Sequence, residues 1–274
     1  MRATRRFRAG VLLVALLIVA SHPCAQAQQT DLTLTDLAKQ AKNPLPDIIN
    51  VPIVHNFNFG TAPNHDMQYV LNVQPVIPFH LPGDWNLVTR TILAVINQPD
   101  VDRGQGSTFG LGDTDLSLFL SPPSSERFIW GFGPVIRFPT ASADVLGGGK
   151  WGIGPTLAGV FTSGPWVVGA LVNNVWSFAG DSTRPAVNQM LLQPGVTYNL
   201  PDGWFLTYGP EMTADWKAPS RDRWTVPIGI GAGKVVTIAK QSLNLQGEAY
   251  YNVERPAGAA TWSFIFTLQL LFPK

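Results

Sequence analysis

From Ile49 to the C-terminus, apolar and polar positions alternate with a period of two, which is the pattern of strands whose two faces meet different media. The last stretch shows it best. Trp262, Phe264, Phe266, Leu268, Leu270 and Phe272 share one face, Ser263, Thr267 and Gln269 lie on the other, and Ile265 and Leu271 are exceptions. Upstream, Met67, Tyr69, Leu71 and Val73 alternate with Gln68, Asn72 and Gln74, and Leu243, Leu245, Ala249 and Tyr251 with Asn244, Gln246, Glu248 and Asn252. The pattern predicts twelve strands, at about 49–59, 67–80, 85–96, 112–121, 128–138, 151–162, 166–178, 188–200, 204–216, 224–234, 243–253 and 261–272. Ahead of them, Leu32, Leu34, Leu37, Ala38 and Ala41 predict a short helix within 31–42, closed by Asn43-Pro44.

The connections carry independent information. Links 81–84, 163–165 and 201–203 are short, whereas 97–111, 139–150 and 179–187 are long, and the two kinds mostly alternate. That asymmetry fits an all-β fold, a transmembrane antiparallel up-and-down β-barrel of about twelve strands, with short periplasmic turns and longer outer loops. An even number of strands also brings both ends of the chain to the periplasmic side. Aromatic residues agree: Trp85, Phe128, Trp166 and Trp204 begin strands after short turns, and Trp151, Trp224 and Trp262 begin strands after long loops. Two girdles follow, one at each interface.

Charge supplies a sharper expectation, because a cation facing lipid at mid-membrane costs roughly 2–4 kcal/mol and an acid somewhat less. Arg90, Asp113, Asp115, Arg137, Glu211, Asp215 and Glu248 all take the parity opposite the apolar face and are therefore predicted to face the lumen. His55 falls in phase with Ile53 and Phe57. Lys234 shares a face with Ile228 and Ile230, at a strand end where it can snorkel. Prolines are the objection: Pro75, Pro134, Pro155, Pro194, Pro210 and Pro227 fall inside predicted strands, and a closed barrel has no free edge to hold them. A bulge or a broken ladder is expected at most of them.

Composition fits this picture. Only 14% of the 274 residues are charged, against roughly 25% in an ordinary soluble domain. The 26 Gly, 23 Pro and 15 Phe exclude a helical bundle, a coiled coil or an acidic disordered chain. The balance of 19 Lys+Arg against 18 Asp+Glu lacks the basic footprint of a nucleic-acid binder. Residues 1–27 read as a secretory signal peptide, with Arg2, Arg5, Arg6 and Arg8, the apolar run from Val11 to Ala20, and Ala25-Gln26-Ala27 as the cleavage site. Residues 28–48 then form an N-terminal segment and 49–274 the barrel. Removal of the four leader arginines leaves 15 Lys+Arg against 18 Asp+Glu, a net charge of −3, and takes the only cysteine, Cys24, with it. No 18-residue apolar run follows, so the expected location is the outer membrane of a Gram-negative cell, reached by export.

Catalytic motifs are missing from the sequence. GAGK (231–234) and GGGK (147–150) lack the remaining elements of a phosphate loop, and neither Gly-x-Ser-x-Gly nor His-Glu-x-x-His occurs. His55, His65 and His80 are the histidines beyond the leader, too few to specify a site but open to a lipase-like triad on the wall. Asp113 and Asp115 read as a solvated rim or as lumen partners of Arg90 or Arg137, and Asp100-Val101-Asp102 as a solvated loop. No cofactor and no metal site is expected.

Several stretches nonetheless match a known pattern: NPLPDIINVPI (43–53), VLNVQPVIPF (70–79), GLGDTDLSLFLSP (110–122), GFGPVIRFPTA (131–141), GGGKWGIGPT (147–156), GPWVVGALVNNVWSFAGD (164–181), LLQPGVTYN (191–199) and WTVPIGIG (224–231). Through them the chain resembles the outer-membrane proteins named for the MetA pathway of phenol degradation, labelled transporters. The resemblance implies an outer-membrane barrel and passage of small aromatic or hydrophobic compounds. It supplies no catalytic motif.

The expectation is a channel with a narrow lumen, constricted by Arg90, Arg137, Glu211, Glu248 and a plug formed by the N-terminal segment. Its expected partners are outer-membrane lipid and a small-molecule solute. The alternatives are a barrel enzyme acting on lipid, a sealed structural or surface-interaction barrel, and an exported soluble β-sandwich.

Overall fold

The structure, a computed structural model, describes residues 33–100, 106–123 and 127–272. The leader, Cys24, part of the Asp100–Asp102 stretch and the last two residues lie outside the described residues.

After helix α1 (Leu34–Ala41) the chain forms β1 (Ile49–Thr61), β2 (Asp66–Val73), β3 (Val76–His80), β4 (Asn86–Gln98), β5 (Thr108–Leu111), β6 (Thr114–Ser121), β7 (Phe128–Phe138), β8 (Lys150–Ser163), β9 (Trp166–Gly180), β10 (Asn188–Asn199), β11 (Trp204–Tyr208), β12 (Met212–Asp215), β13 (Trp224–Ile238), β14 (Gln241–Glu254) and β15 (Trp262–Phe272). The pairs β2/β3, β5/β6 and β11/β12 are each one interrupted stave, so the fifteen segments make twelve staves. Every neighbour is antiparallel, and β15 pairs with β1 from Ile49↔Phe272 to Phe59↔Trp262, which closes the barrel. No sheet edge is left unpaired in the ring.

The outward face carries the large apolar side chains. Trp166, Trp204 and Phe128 mark the short-turn end, and Trp151 and Trp262 the long-loop end. Stacking reinforces both girdles, with Phe59 on Trp262 at 4.1 Å and Trp166 edge-on to Tyr198 at 4.7 Å. Lys234 lies 4.8 Å from the centre of the Trp204 ring, close to the short-turn end. His55 is in the outward register opposite Phe266 and Leu71, and its Nδ1 is 2.8 Å from the Tyr69 hydroxyl, so its polar edge has a partner.

The strand prolines sit where the ladder lapses, two of them face to face. Pro134 and Pro155 are opposite each other between β7 and β8, and on their far sides the β6–β7 register skips from Ser117↔Val135 to Leu120↔Phe132 and the β8–β9 register from Ile153↔Trp176 to Thr156↔Asn173. Proline has no N–H to donate, and with the two prolines face to face the lapses fall on the far sides of the β7–β8 ladder, whose register continues unbroken. Pro75 falls in the β2/β3 interruption, next to Gln74, whose N–H donates to the Pro52 carbonyl at 2.9 Å. Pro210 falls in the β11/β12 interruption, with Pro194 beside it in the stretch of β10 between its pairings to β11 and β12. Pro227 is at a register shift.

Two connections are shorter than the sequence suggests. β13 runs on to Ile238 and β14 begins at Gln241, so the link predicted over 235–242 is the tight turn Ala239-Lys240, both residues with positive φ. Within the predicted link 97–111, Thr108–Leu111 pairs with the end of β4 and extends the wall.

Candidate functional site: the lumen and its two ends

Helix α1 is set by Thr33, whose hydroxyl accepts from Asp36 N at 3.1 Å while the Asp36 carboxylate accepts from Thr33, a reciprocal cap. Its apolar face packs Leu37 and Ala38 against Ile48, Phe205, Val235 and Leu271, inward positions at the short-turn end. Each buried Leu of this kind contributes about 1.5–3 kcal/mol. The chain then crosses the lumen. Leu45 packs on Val76, Val88, Phe119, Ala158 and Leu171, on the opposite wall. Glycine makes room for it: a Cβ on Gly131 would come 3.1 Å from Leu45 Cδ1. Residues 34–48 thus lie across the lumen.

Polar bonds tie this segment to the wall. Lys42 Nζ donates to Gln246 Oε1, and Gln269 Nε2 donates to the Ala41 carbonyl and to Asn50 Oδ1 at 3.3 and 3.0 Å. Above the segment lies a cavity of about 230 Å³. Lys42, Asn72, Gln74, Arg90, Gln193, Glu211, Gln246 and Glu248 contribute its polar lining, and Val167, Leu171 and Ile265 part of its apolar lining.

The seven charged residues predicted from parity fall into three groups. Arg90, Glu211 and Glu248 line the cavity. Arg90 Nη2 donates to Gln74 Oε1 at 2.8 Å, and Glu211 and Asp115 lie within its electrostatic reach. Glu248 accepts from the Tyr250 hydroxyl at 2.7 Å, and that hydroxyl in turn accepts from Gly209 N at 3.0 Å. The Gly209 N–H borders the Pro210 interruption, so Tyr250 replaces a ladder acceptor there. Higher in the lumen, Arg137 binds Asp115 through two bonds of 2.8 Å and reaches Gln189 Oε1 at 2.8 Å. Asp113 and Asp215 do neither. Asp113 accepts from Ala141 N at 3.3 Å and Gly148 N at 2.7 Å, and Asp215 accepts from Lys217 N at 2.9 Å at the rim.

Asp113 thereby fixes a feature that the sequence pattern does not show. The connection 139–149 folds back onto the wall, with Leu146 buried and its carbonyl 3.5 Å from where a Cβ on Gly112 would stand. Arg184 Nη2 donates to the Asp144 carbonyl at 2.7 Å and to the Gly147 carbonyl, which holds the loop from its other side. A triple glycine between an apolar strand and a loop signals a close approach, but nothing in the sequence names Asp113 as its partner. At the rim, bonds from the Thr183 hydroxyl and N–H hold Asp181 below the ordinary carboxylate range, and a bond from Ala257 N does the same for Asp222.

The three histidines stand at different levels of the wall: His55 on the outward face, His65 in the hairpin between β1 and β2, and His80 at the short-turn end, 2.7 Å from Asn86 Oδ1.

No protein-family model and no curated protein sequence matches the chain. Solved structures do. The crystal structure of an outer membrane channel from Pseudomonas putida F1 superposes with a TM-score of 0.61 at 17% identity, over 84% of this chain and 98% of that one. The NanC porin superposes with a TM-score of 0.53 at 8% identity, over 82% of this chain and 100% of that one. At such identities the likeness concerns the fold. Closure, alternation and these neighbours together make the chain a twelve-stranded antiparallel β-barrel of the outer-membrane type.

Proposed function

We propose that the protein is an outer-membrane channel for small solutes, with its short-turn end and N-terminal segment on the periplasmic side. The observation that carries this reading is a cavity lined by both polar and apolar side chains, inside a closed wall whose outward face is apolar. Such a wall suits hydrocarbon, and such an interior suits water and a solute. The leader-like residues 1–27 supply the export route. The resemblance to the phenol-pathway family adds small aromatic or hydrophobic compounds as the solute class. Nothing in the lumen is assigned a catalytic role, and His55, on the outward face, is engaged with Tyr69.

One observation favours a second reading. Residues 34–48 cross the lumen and bury Leu37 and Leu45 on opposite walls, which is also how a sealed structural barrel would be built. The test is ion flow through the purified, refolded protein in planar bilayers, alone and with the segment before β1 removed. A channel conducts a small current when intact and a larger one when truncated. A sealed structural barrel conducts nothing when intact and opens only when the segment is removed.

A further inference from the structure

The cavity holds more unengaged hydrogen-bonding groups than a bare constriction requires. Among the described residues, the side chains of Asn72, Gln193 and Glu211 line it without a hydrogen bond to any protein group. Their side chains are not sealed away: Asn72 and Gln193 are half-buried and Glu211 is exposed. These groups are presented to whatever fills the lumen.

The lining also has a definite charge balance. Lys42 lies within electrostatic reach of Glu248, and Arg90 of Glu211, so two cations face two acids. An ion placed among them would lose hydration without gaining a net counter-charge, whereas a neutral solute loses little. Across the lumen, Val167 and Leu171 are buried on β9, and Gly169 and Gly195 add no side chain between β9 and β10. On β10, Thr197 and Gln193 stand opposite Val167 and Leu171, so this wall offers a side-chain-free gap at Gly169 and Gly195 flanked by apolar and polar groups. The volume of about 230 Å³ is below the roughly 300–1,000 Å³ of pockets for drug-sized ligands, so it suits a single ring.

We propose that the cavity is a saturable binding station for a small uncharged ring bearing two or more hydroxyl groups. One face would lie over the Gly169–Gly195 pair beside Val167, and the hydroxyls would bond to Asn72, Gln193 and Glu211. Hydroxyl is the group that serves all three. It donates to the Glu211 carboxylate, which only accepts, and it exchanges both roles with the two amides. Aromatic diols and monosaccharides share this chemistry. The station rests on the channel reading for its access route, not for its binding.

Isothermal titration calorimetry of the full chain in detergent micelles tests it, with resorcinol and glucose as the two sources of ring hydroxyls and 1,3-dimethoxybenzene as the ring without them. Saturable heat with resorcinol or glucose and none with dimethoxybenzene is expected, and the diol that binds identifies the source. Asn72→Val and Glu211→Ala should each weaken binding about tenfold, the equivalent of one hydrogen bond, with barrel folding checked by circular dichroism. Absence of saturable binding by both diols, equal binding of dimethoxybenzene, or unchanged binding in both variants would overturn the station. Bilayer current separates this from the channel reading. Diol binding without current keeps the station and removes the channel; current without diol binding removes the station and leaves the channel.

Discussion

The Arg137 guanidinium grips the Asp115 carboxylate through two bonds of 2.8 Å, from Nε and from Nη2, across adjacent staves β6 and β7. The pair is about three-quarters buried, with side-chain exposures of 22% and 25%, and so escapes most of the screening that weakens surface pairs. It neutralises two charges in the upper lumen.

Removing one member should therefore expose the other as a selectivity element. Asp115→Asn leaves Arg137 uncompensated and should shift the reversal potential in asymmetric KCl toward anion selectivity. Arg137→Gln should shift it toward cations, and the double variant should return near the starting value. Each single variant should also lose about 1–3 kcal/mol of stability by urea unfolding. Unchanged reversal potentials in both would remove the pair from the conduction path.

The N-terminal segment makes a second prediction. Leu37 is buried among Phe205, Val235 and Leu271, and truncation of such a residue costs about 2–5 kcal/mol. Leu37→Ala should weaken docking of α1 and raise the mean single-channel conductance, and Leu37→Asp should raise it further. Since wall pairing does not use Leu37, the barrel's own unfolding should move little. Equal conductance in all three proteins would show that α1 does not restrict the lumen.

Wall curvature gives a third. A Cβ on Gly154 would stand 1.6 Å from the Asn174 carbonyl oxygen, backbone that cannot swing aside, whereas one on Gly195 meets nothing closer than 3.8 Å. Gly154→Ala should cost about 1–3 kcal/mol and lower the refolding yield, and Gly195→Ala should be close to neutral. Unfolding of the two variants in detergent, side by side, checks the contrast.

The rim supplies a dependence on pH. Asp222 accepts from Ala257 N at 2.9 Å, which joins the β12–β13 and β14–β15 loops. That bond, helped by Arg221, lowers the carboxyl below its ordinary 3.8, so the clasp is fully present above that value and is lost as pH falls through the lowered one. Amide exchange in 255–261 should be slow at pH 6 and accelerate, beyond its intrinsic pH trend, on acidification below 3.8. Asp222→Asn should remove that extra component.

The barrel was legible because its outward face must satisfy one solvent, hydrocarbon, at every second position. Trp262 to Phe272 and Met67 to Val73 state that rule locally, with no help from tertiary contacts. Turn length distinguished the barrel's two ends, one of short turns and one of longer loops. The seven charged positions could be named from the same parity, yet their partners could not: Arg137 finds Asp115 because β6 and β7 pair in one register, and Asp113 instead binds a loop 28 and 35 residues away. The loop over 139–149 and the lumen crossing by Leu45 depend on contacts between residues distant in the chain, which periodicity does not record. The prolines follow the same division. Each one signals a missing donor, but that Pro134 faces Pro155 is a property of the sheet.

The central claim is that solute moves through this lumen, and single-channel recording of the refolded protein in planar bilayers tests it most directly. The account predicts small, discrete current steps from the intact protein and larger steps once the residues before Ile49 are removed. Silence from both forms, in protein whose strand content is verified, would contradict it, and so would a large porin-like conductance from the intact chain.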